Sequence, residues 1–406
     1  MSDSTATLTL VDPHGRPLGT LPPLPVESPW WKDVAEIVEG TRERDGIDVV
    51  VLRLLTAGRP RPPGGAVTYL AEYDGPPVPG LIPTEERPSW LAPHPLRLPW
   101  AEIGGPARSL AWADGVLADL GWKVSGRRQI RSWNLSSIWR IDTDRGPVWL
   151  KEVPPFMAHE GAVLRWLSRP TTTVVLGADE RRMLLADIPG TDRYEAGPAE
   201  RAGMLAALLD IQTEAVARLG ELTALGVPTE YGDDFGAEAE ILLPRWLATL
   251  SDADDRAVLT DLVDGLAARF AEVEACGVPY TLVHGDFHPG NVRSDGTNTV
   301  IIDWGDARLG HPVMDMMLMR DWRGGDPVTF AALWCAHWRR VLPGCEPDRV
   351  VELMEPVAAL RGALIYGMFL RSIEPAERPY HDDDVPMALR AAIDQHRRVA
   401  RPATHM

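Results

Sequence analysis

The stretch Leu282-Val283-His284-Gly285-Asp286-Phe287-His288-Pro289-Gly290-Asn291-Val292, followed by Val300-Ile301-Ile302-Asp303-Trp304, decides how this 406-residue chain is read. An apolar run delivers a histidine and an aspartate into a loop, and an asparagine follows five residues after that aspartate. A turn around Ser294 to Asn298 then leads into a second apolar run that ends in another aspartate. Gly, Pro, Asn and Asp are ordinary turn formers, so any one of these features alone would read as a loop. Together they supply what phosphoryl transfer needs: a carboxylate near the attacking hydroxyl and oxygen ligands for the magnesium on the nucleotide phosphates.

Protein kinases write the loop as H-R-D-x-x-x-x-N and the second carboxylate as D-F-G. Here the two read H-G-D-x-x-x-x-N and D-W-G. The H-G-D form with D-W resembles the aminoglycoside phosphotransferase family, which includes antibiotic, choline, homoserine and other small-molecule kinases. The resemblance runs from about Leu120 to the C-terminus. It implies an α+β, protein-kinase-like fold with a β-rich nucleotide lobe and a helical lobe, ATP (with GTP as the alternative) and Mg2+ as cofactors, and a small-molecule acceptor. It further implies that Asp286 orients and deprotonates the acceptor hydroxyl, while Asn291 and Asp303 hold the metal. His284 and His288 read as loop props, and Asp315 as a residue that caps or braces the helix after it.

Working upstream, Arg128 to Ser132, Ser137 to Thr143 and Val148 to Val153 read as consecutive antiparallel strands. Lys151 sits in the third, where a kinase places the lysine that pairs with the α- and β-phosphates. Pro154-Pro155 ends that strand, and Met157 to Leu167 reads as an amphipathic helix bearing Glu160, the expected partner of the lysine. Glu152 is a poorer partner, because neighbouring strand residues point to opposite faces. The turn Ser132 to Ser137 occupies the place of the phosphate-covering loop without its glycines, which makes Ser136 and Ser137 candidate phosphate contacts. Met183 to Gly190 is an apolar strand running into a proline-glycine break. It reads as the hinge, with Ala186, Asp187 and Ile188 at the nucleotide and Asp187 toward the ribose.

Residues 1–100 carry much of the proline and read as a small α/β module, with strands at Thr7 to Val11, Asp48 to Leu55 and Ala66 to Tyr73 and a helix from Trp30 to Arg44. The stretch Pro76 to Pro99 punctuates like a linker, and a Gly64-Gly65 turn joins two of the strands; no chemistry is expected from this module. The expected division is 1–100 for the module, 101–190 for the β-rich lobe and hinge, and 191–406 for the helical catalytic and acceptor-binding lobe.

Hydrophobic residues at 45% and charged ones at 24% are those of a globular protein. The formal charge of -17 argues against a nucleic-acid partner, whose phosphates require a basic footprint. It would suit a cationic acceptor, although an acidic surface also serves solubility. The three cysteines lack metal-ligand spacing and no charged-then-apolar leader opens the chain, so a cytoplasmic location is expected. No stretch approaches the ~20 uninterrupted apolar residues of a membrane span, so no membrane partner is expected. The loop Glu374 to Asp384 concentrates carboxylates and reads either as an acceptor-binding element or as solvated surface. A nucleotide-binding pseudoenzyme or regulatory module is the alternative from another class. The acceptor's identity and the oligomeric state are not written in the sequence.

Overall fold

Strands build much of the first half of the chain, several of them buried over three or four consecutive residues. In the computed structural model, which describes residues 4–27, 31–58, 65–84, 89–323 and 326–400, five strands form one sheet: β1 (Thr5–Val11), β2 (Pro17–Thr20), β3 (Leu24–Pro25), β4 (Val50–Ala57) and β5 (Ala66–Glu72). The order is β2-β1-β5-β4, with β1 parallel to β5 and the other pairs antiparallel. Helix α1 (Ala35–Asp45) closes a core that includes Leu8, Leu10, Ile37, Val38, Val51 and Tyr69. It begins later than the sequence pattern suggests because Asp33 bridges to Arg131 and the Val34 amide donates to the Ile130 carbonyl, which diverts this segment onto a second sheet. Trp30 and Gly64 lie outside the described residues.

That second sheet is β6 (Val124–Trp133), β7 (Ser136–Thr143), β8 (Gly146–Glu152), β9 (Val175–Ala178) and β10 (Arg182–Ala186), in the antiparallel order β6-β7-β8-β10-β9. Helix α2 (Gly105–Asp119), which the sequence reading missed, covers it: Ala113 and Leu117 pack with Trp139, Ile141, Val148, Leu150 and Leu184. A proline in the first turn and Gly121 just past the end were the signals for this helix. Burial of side chains such as Leu150 stabilises by roughly 2 kcal/mol each.

The two sheets share one compact unit, Met1–Gly161 with Val175–Asp187 and Phe369–Asp382. The expected boundary near residue 100 falls inside it. Gln129 of β6 explains part of this, since its amide both accepts from the Val51 amide at 2.9 Å and donates to the Val51 carbonyl at 2.7 Å, copying a strand neighbour. Arg53, buried, donates to the carbonyls of Ala101 and Trp90 and so pins the stretch read as a linker. Phe369–Asp382 returns to the same unit, where Tyr380 stacks on Trp31 with ring centres 3.7 Å apart.

The second unit is Ala162–Val174, Ile188–Met368 and Asp383–Met406. After α3 (Glu160–Leu167) and β11 (Thr191–Asp192) come helices α4 (Pro198–Ala215), α5 (Leu219–Ala224), α6 (Gly232–Thr249), α7 (Ala253–Asp264) and α8 (Leu266–Ala275). Four short strands follow: β12 (Thr281–Val283), β13 (Val292–Ser294), β14 (Thr299–Ile301) and β15 (Arg308–Gly310). The chain ends in α9 (Val313–Asp321), α10 (Pro327–Val341), α11 (Pro347–Ser372) and α12 (Asp384–Ala400). Among the described helices α11 alone is long and apolar enough to cross a membrane, and half of that apolar window is buried inside the protein.

Candidate active site

The carboxylate loop grows out of β12, three residues buried on all sides and paired antiparallel with β15. Burial on both faces demands apolar or hydrogen-bonded side chains, which Thr281, Leu282 and Val283 supply. The chain then turns through Gly285 at φ +89, a left-handed conformation that favours glycine, and a Cβ there would lie 2.1 Å from the Asp306 carbonyl oxygen. His284 fixes the loop with both ring nitrogens: Nε2 donates to the Ile302 carbonyl at 2.9 Å, and Nδ1 accepts from the Asp286 amide at 3.3 Å.

Asp286 is left half exposed. The Asn291 amide nitrogen donates to its backbone carbonyl at 2.8 Å and to its carboxylate at 3.0 Å, and the His288 ring stands 3.5 Å from the same carboxylate. Burial pushes the Asp286 carboxyl up, but the hydrogen bond from His288 and the fields of His288 and His284 outweigh it, so the net shift is downward. His288 is itself held, stacked on Trp322 at 3.9 Å. The loop thus presents an ionised carboxylate at neutral pH.

The turn after Asn291 is fixed by Asp295, whose carboxylate accepts from the Thr297 and Asn298 amides, and β13 and β14 pair across it. Beyond β14, Asp303 sits at φ +64 and ψ +61, a conformation few residues other than glycine and asparagine adopt readily. The adjacent Trp304 is fully buried and braces this bend. Asp306, not singled out from the sequence, is pushed up to about 7 by burial and then by the charges of Asp286 and Asp303. An acid three residues beyond Asp303, after a glycine, was its only signal.

A cation would relieve this gathering of like charge. Because the Asn291 nitrogen donates to Asp286, its amide oxygen is the atom that would face a metal, with the Asp303 carboxylate as the second ligand. Among the described residues no three His, Cys, Asp or Glu side chains cluster to hold an ion by themselves. One carboxylate and one amide fit magnesium, which keeps waters and phosphate oxygens in its octahedron.

Asp315 corrects one expectation. It does not cap α9: its carboxylate accepts from the His284 amide at 2.8 Å, the Gly285 amide at 2.9 Å and the Gln212 side chain at 2.9 Å. It braces the carboxylate loop from behind.

In the first unit, alternation along β8 buries Val148, Leu150 and Glu152 on one face and turns Lys151 to the other. Lys151 Nζ lies 2.7 Å from Glu160 Oε1, with the lysine side chain 12% and the glutamate 1% exposed. Glu152 instead accepts from the Ser109 hydroxyl of α2 at 2.5 Å. The helix bearing Glu160 begins at that residue, because Pro155–Met157 forms a separate turn of 3-10 helix. Ser136 and Ser137 are both buried, and the Ser136 hydroxyl accepts from the Trp133 indole at 2.8 Å. Asp187 accepts from the Trp149 indole at 2.6 Å. The chain passes from the first unit to the second between Asp187 and Ile188, and Arg293 bonds the carbonyls of Ile188 and Gly190 and the carboxylate of Asp192.

Of the acidic loop, Glu374 pairs with Arg97 at 3.0 Å and Glu377 is 1% exposed, so neither belongs to a solvated surface; Asp382 and Asp383 are exposed.

The model of the phosphotransferase enzyme family matches residues 127–349. No curated protein matches the chain by sequence. Among solved structures, APH(2″)-IIia in its GDP and kanamycin complex is 14% identical with a TM-score of 0.50, over 71% of this chain and 99% of that one. The macrolide 2′-phosphotransferase MphH of Brachybacterium faecium is 18% identical with a TM-score of 0.48, over 68% and 97%. APH(2″)-IIa in a streptomycin-ATP ternary complex is 12% identical with a TM-score of 0.46, over 70% and 97%.

Proposed function

Because the chain belongs to the phosphotransferase enzyme family, a family of small-molecule kinases with a protein-kinase-like fold, we propose that it transfers the γ-phosphoryl group of ATP to a hydroxyl of an amino sugar, aminoglycoside or amino alcohol. The observation that carries this is Asp286: a half-exposed carboxylate held below its ordinary pKa and oriented by Asn291. In this reading Asp286 takes the proton of the acceptor hydroxyl as the new P–O bond forms and the bond to the nucleotide breaks. Asn291 and Asp303 would hold magnesium, which when bound neutralises the phosphates. Lys151, steadied by Glu160, supplies a further positive charge to the α- and β-phosphates. Ala186, Asp187 and Ile188 mark the adenine edge, and the backbone of the Ser136-Ser137 turn approaches the phosphates, since the Ser136 hydroxyl is already engaged. Catalysis then rests on positioning and electrostatics with no covalent enzyme intermediate.

Turnover of ATP, and of GTP in parallel, against a panel of amino sugars, aminoglycosides and amino alcohols tests the reading. Acceptor-dependent ADP release with a phosphorylated product detected by mass is expected. Tight nucleotide binding without any turnover would return the chain to a nucleotide-binding regulatory role.

A further inference from the structure

We propose that Arg361 of α11, which lies beyond the family-matched segment, is a positioning residue for phosphoryl transfer: it fixes the peptide that carries Asp286. The inference rests on the reading of Asp286 as the base. Arg361 is 4% exposed, and its guanidinium spans two partners. Nε donates to Glu230 Oε2 at 2.7 Å, and Nη1 donates to the Gly285 carbonyl at 3.0 Å. Glu230 is itself anchored, its amide donating to the Leu309 carbonyl at 2.8 Å beside a bridge between Thr229 and Leu309.

The geometry matters because of what Gly285 is. Glycine restrains its own dihedrals least of all residues, and this one must hold a left-handed conformation immediately before the catalytic carboxylate. Both ends of the residue are therefore held from outside. Asp315 of α9 takes its N–H at 2.9 Å, and Arg361 of α11 takes its C=O. Removing the second hold leaves the Gly285–Asp286 peptide on the 3.3 Å bond from the Asp286 amide to His284 Nδ1 alone, so the peptide can tilt and the Asp286 side chain moves with it. A displacement of about 1 Å at a catalytic group lowers turnover by about 10²-fold.

A purely structural purpose explains the pair poorly. A buried Arg–Glu pair adds little stability over well-packed apolar residues of the same volume. The site reads as a brace that joins the last third of the chain to the catalytic loop. Arg361→Lys keeps the charge but loses the planar fork that reaches both partners at once.

The test uses the full-length chain, with ATP turnover measured with water as acceptor and with any acceptor found in the panel. Four variants are compared: Asp286→Asn, Arg361→Met, Arg361→Lys, and Glu230→Gln combined with Arg361→Met, which removes both charges of the ion pair together. We expect the double variant to melt near the wild type and to keep its nucleotide KM within about threefold, while kcat falls by about 10- to 100-fold. Arg361→Lys should recover part of that loss. Amide exchange should rise across Gly285 to Phe287 and stay unchanged in the first unit. A folded double variant with wild-type kcat and wild-type exchange at Gly285 would overturn the brace. So would a fall in nucleotide affinity matching the fall in kcat, which would mean general loosening. Should Asp286→Asn retain full turnover, the reading of the base itself fails, and the brace with it; an inert Asp286→Asn beside an unaffected Arg361 series sinks the brace alone.

Discussion

Two segments, one in each unit, carry a carboxylate in or beside a short 3-10 helix, and they treat it in opposite ways. The loop His284 to Asn291 leaves Asp286 half exposed and surrounds it with donors, so its pKa falls below the ordinary aspartate value. The segment Glu374 to His381 seals Glu377 beneath Trp31 and Tyr380, where the Asn134 amide donates to both its oxygens at 3.1 and 3.2 Å. Burial dominates there and pushes Glu377 up to about 7. The side chains are of one chemical kind. What separates them is whether the fold brings cationic or polarised N–H groups faster than it removes water.

Lys151 and Glu160 stand between these cases: a carboxylate as buried as Glu377 but with an ammonium at 2.7 Å. The three sites form a series from presented charge through paired charge to sealed charge. Each can be altered to ask whether its surroundings do what the series says.

The largest effect is expected at the presented charge. Asp286→Asn should lower kcat by roughly 10²- to 10⁴-fold if the carboxylate acts as general base, and leave melting temperature and nucleotide KM nearly unchanged, because the side chain is half in water. Steady-state kinetics beside a melting curve decides it. Near-normal turnover would break the contrast at its functional end.

Next comes the paired charge. Lys151→Met turns Glu160 into a sealed carboxylate without its lysine, and breaking such a pair destabilises by roughly 3 kcal/mol. The nucleotide KM should rise as well. Lys151→Met combined with Glu160→Gln should recover much of the stability, since no buried charge is stranded, but none of the nucleotide affinity. Strictly additive losses in that double-mutant cycle would show that the two side chains do not act as a pair.

How much of this series could be read in advance follows its physics. The loop and hairpin that carry Asp286, Asn291 and Asp303 were legible because they lie along one short stretch, with β13 and β14 paired across a turn. Lys151 and Glu160 were legible from strand and helix order, and period-two alternation separated Lys151 from Glu152. The parallel pairing of β1 with β5 and the return of residues 369–382 to the first unit were not, since both join segments far apart in sequence. Gln129 shows why: a buried amide mimicking a strand neighbour looks in the sequence like any polar residue on a half-exposed strand. Glu374 and Glu377 were read with Asp382 and Asp383 as one acidic run, although packing against Trp31, Arg97 and Asn134 assigns the first two to the interior.

The smallest effect, and the one of opposite sign, belongs to the sealed charge. Glu377 has a folded-state pKa of about 7 against an ordinary 4.5, so between those values the folded protein binds a proton that the unfolded chain has released. The stability linked to this group is therefore complete below about pH 4.5 and lost as pH rises to 7, by on the order of 3 kcal/mol before solvent relaxation reduces it. Glu377→Gln keeps the shape and an oxygen for the Asn134 amide, but carries no charge to strand. Its melting temperature should match the wild type near pH 4.5 and exceed it by a few degrees at pH 8, with kcat unchanged at the pH where both are folded. Paired melting curves across that range read the difference directly. A variant less stable than the wild type at pH 8 would mean that Glu377 is ionised and solvated in the folded protein, and the contrast with Asp286 would then lie in position rather than in charge.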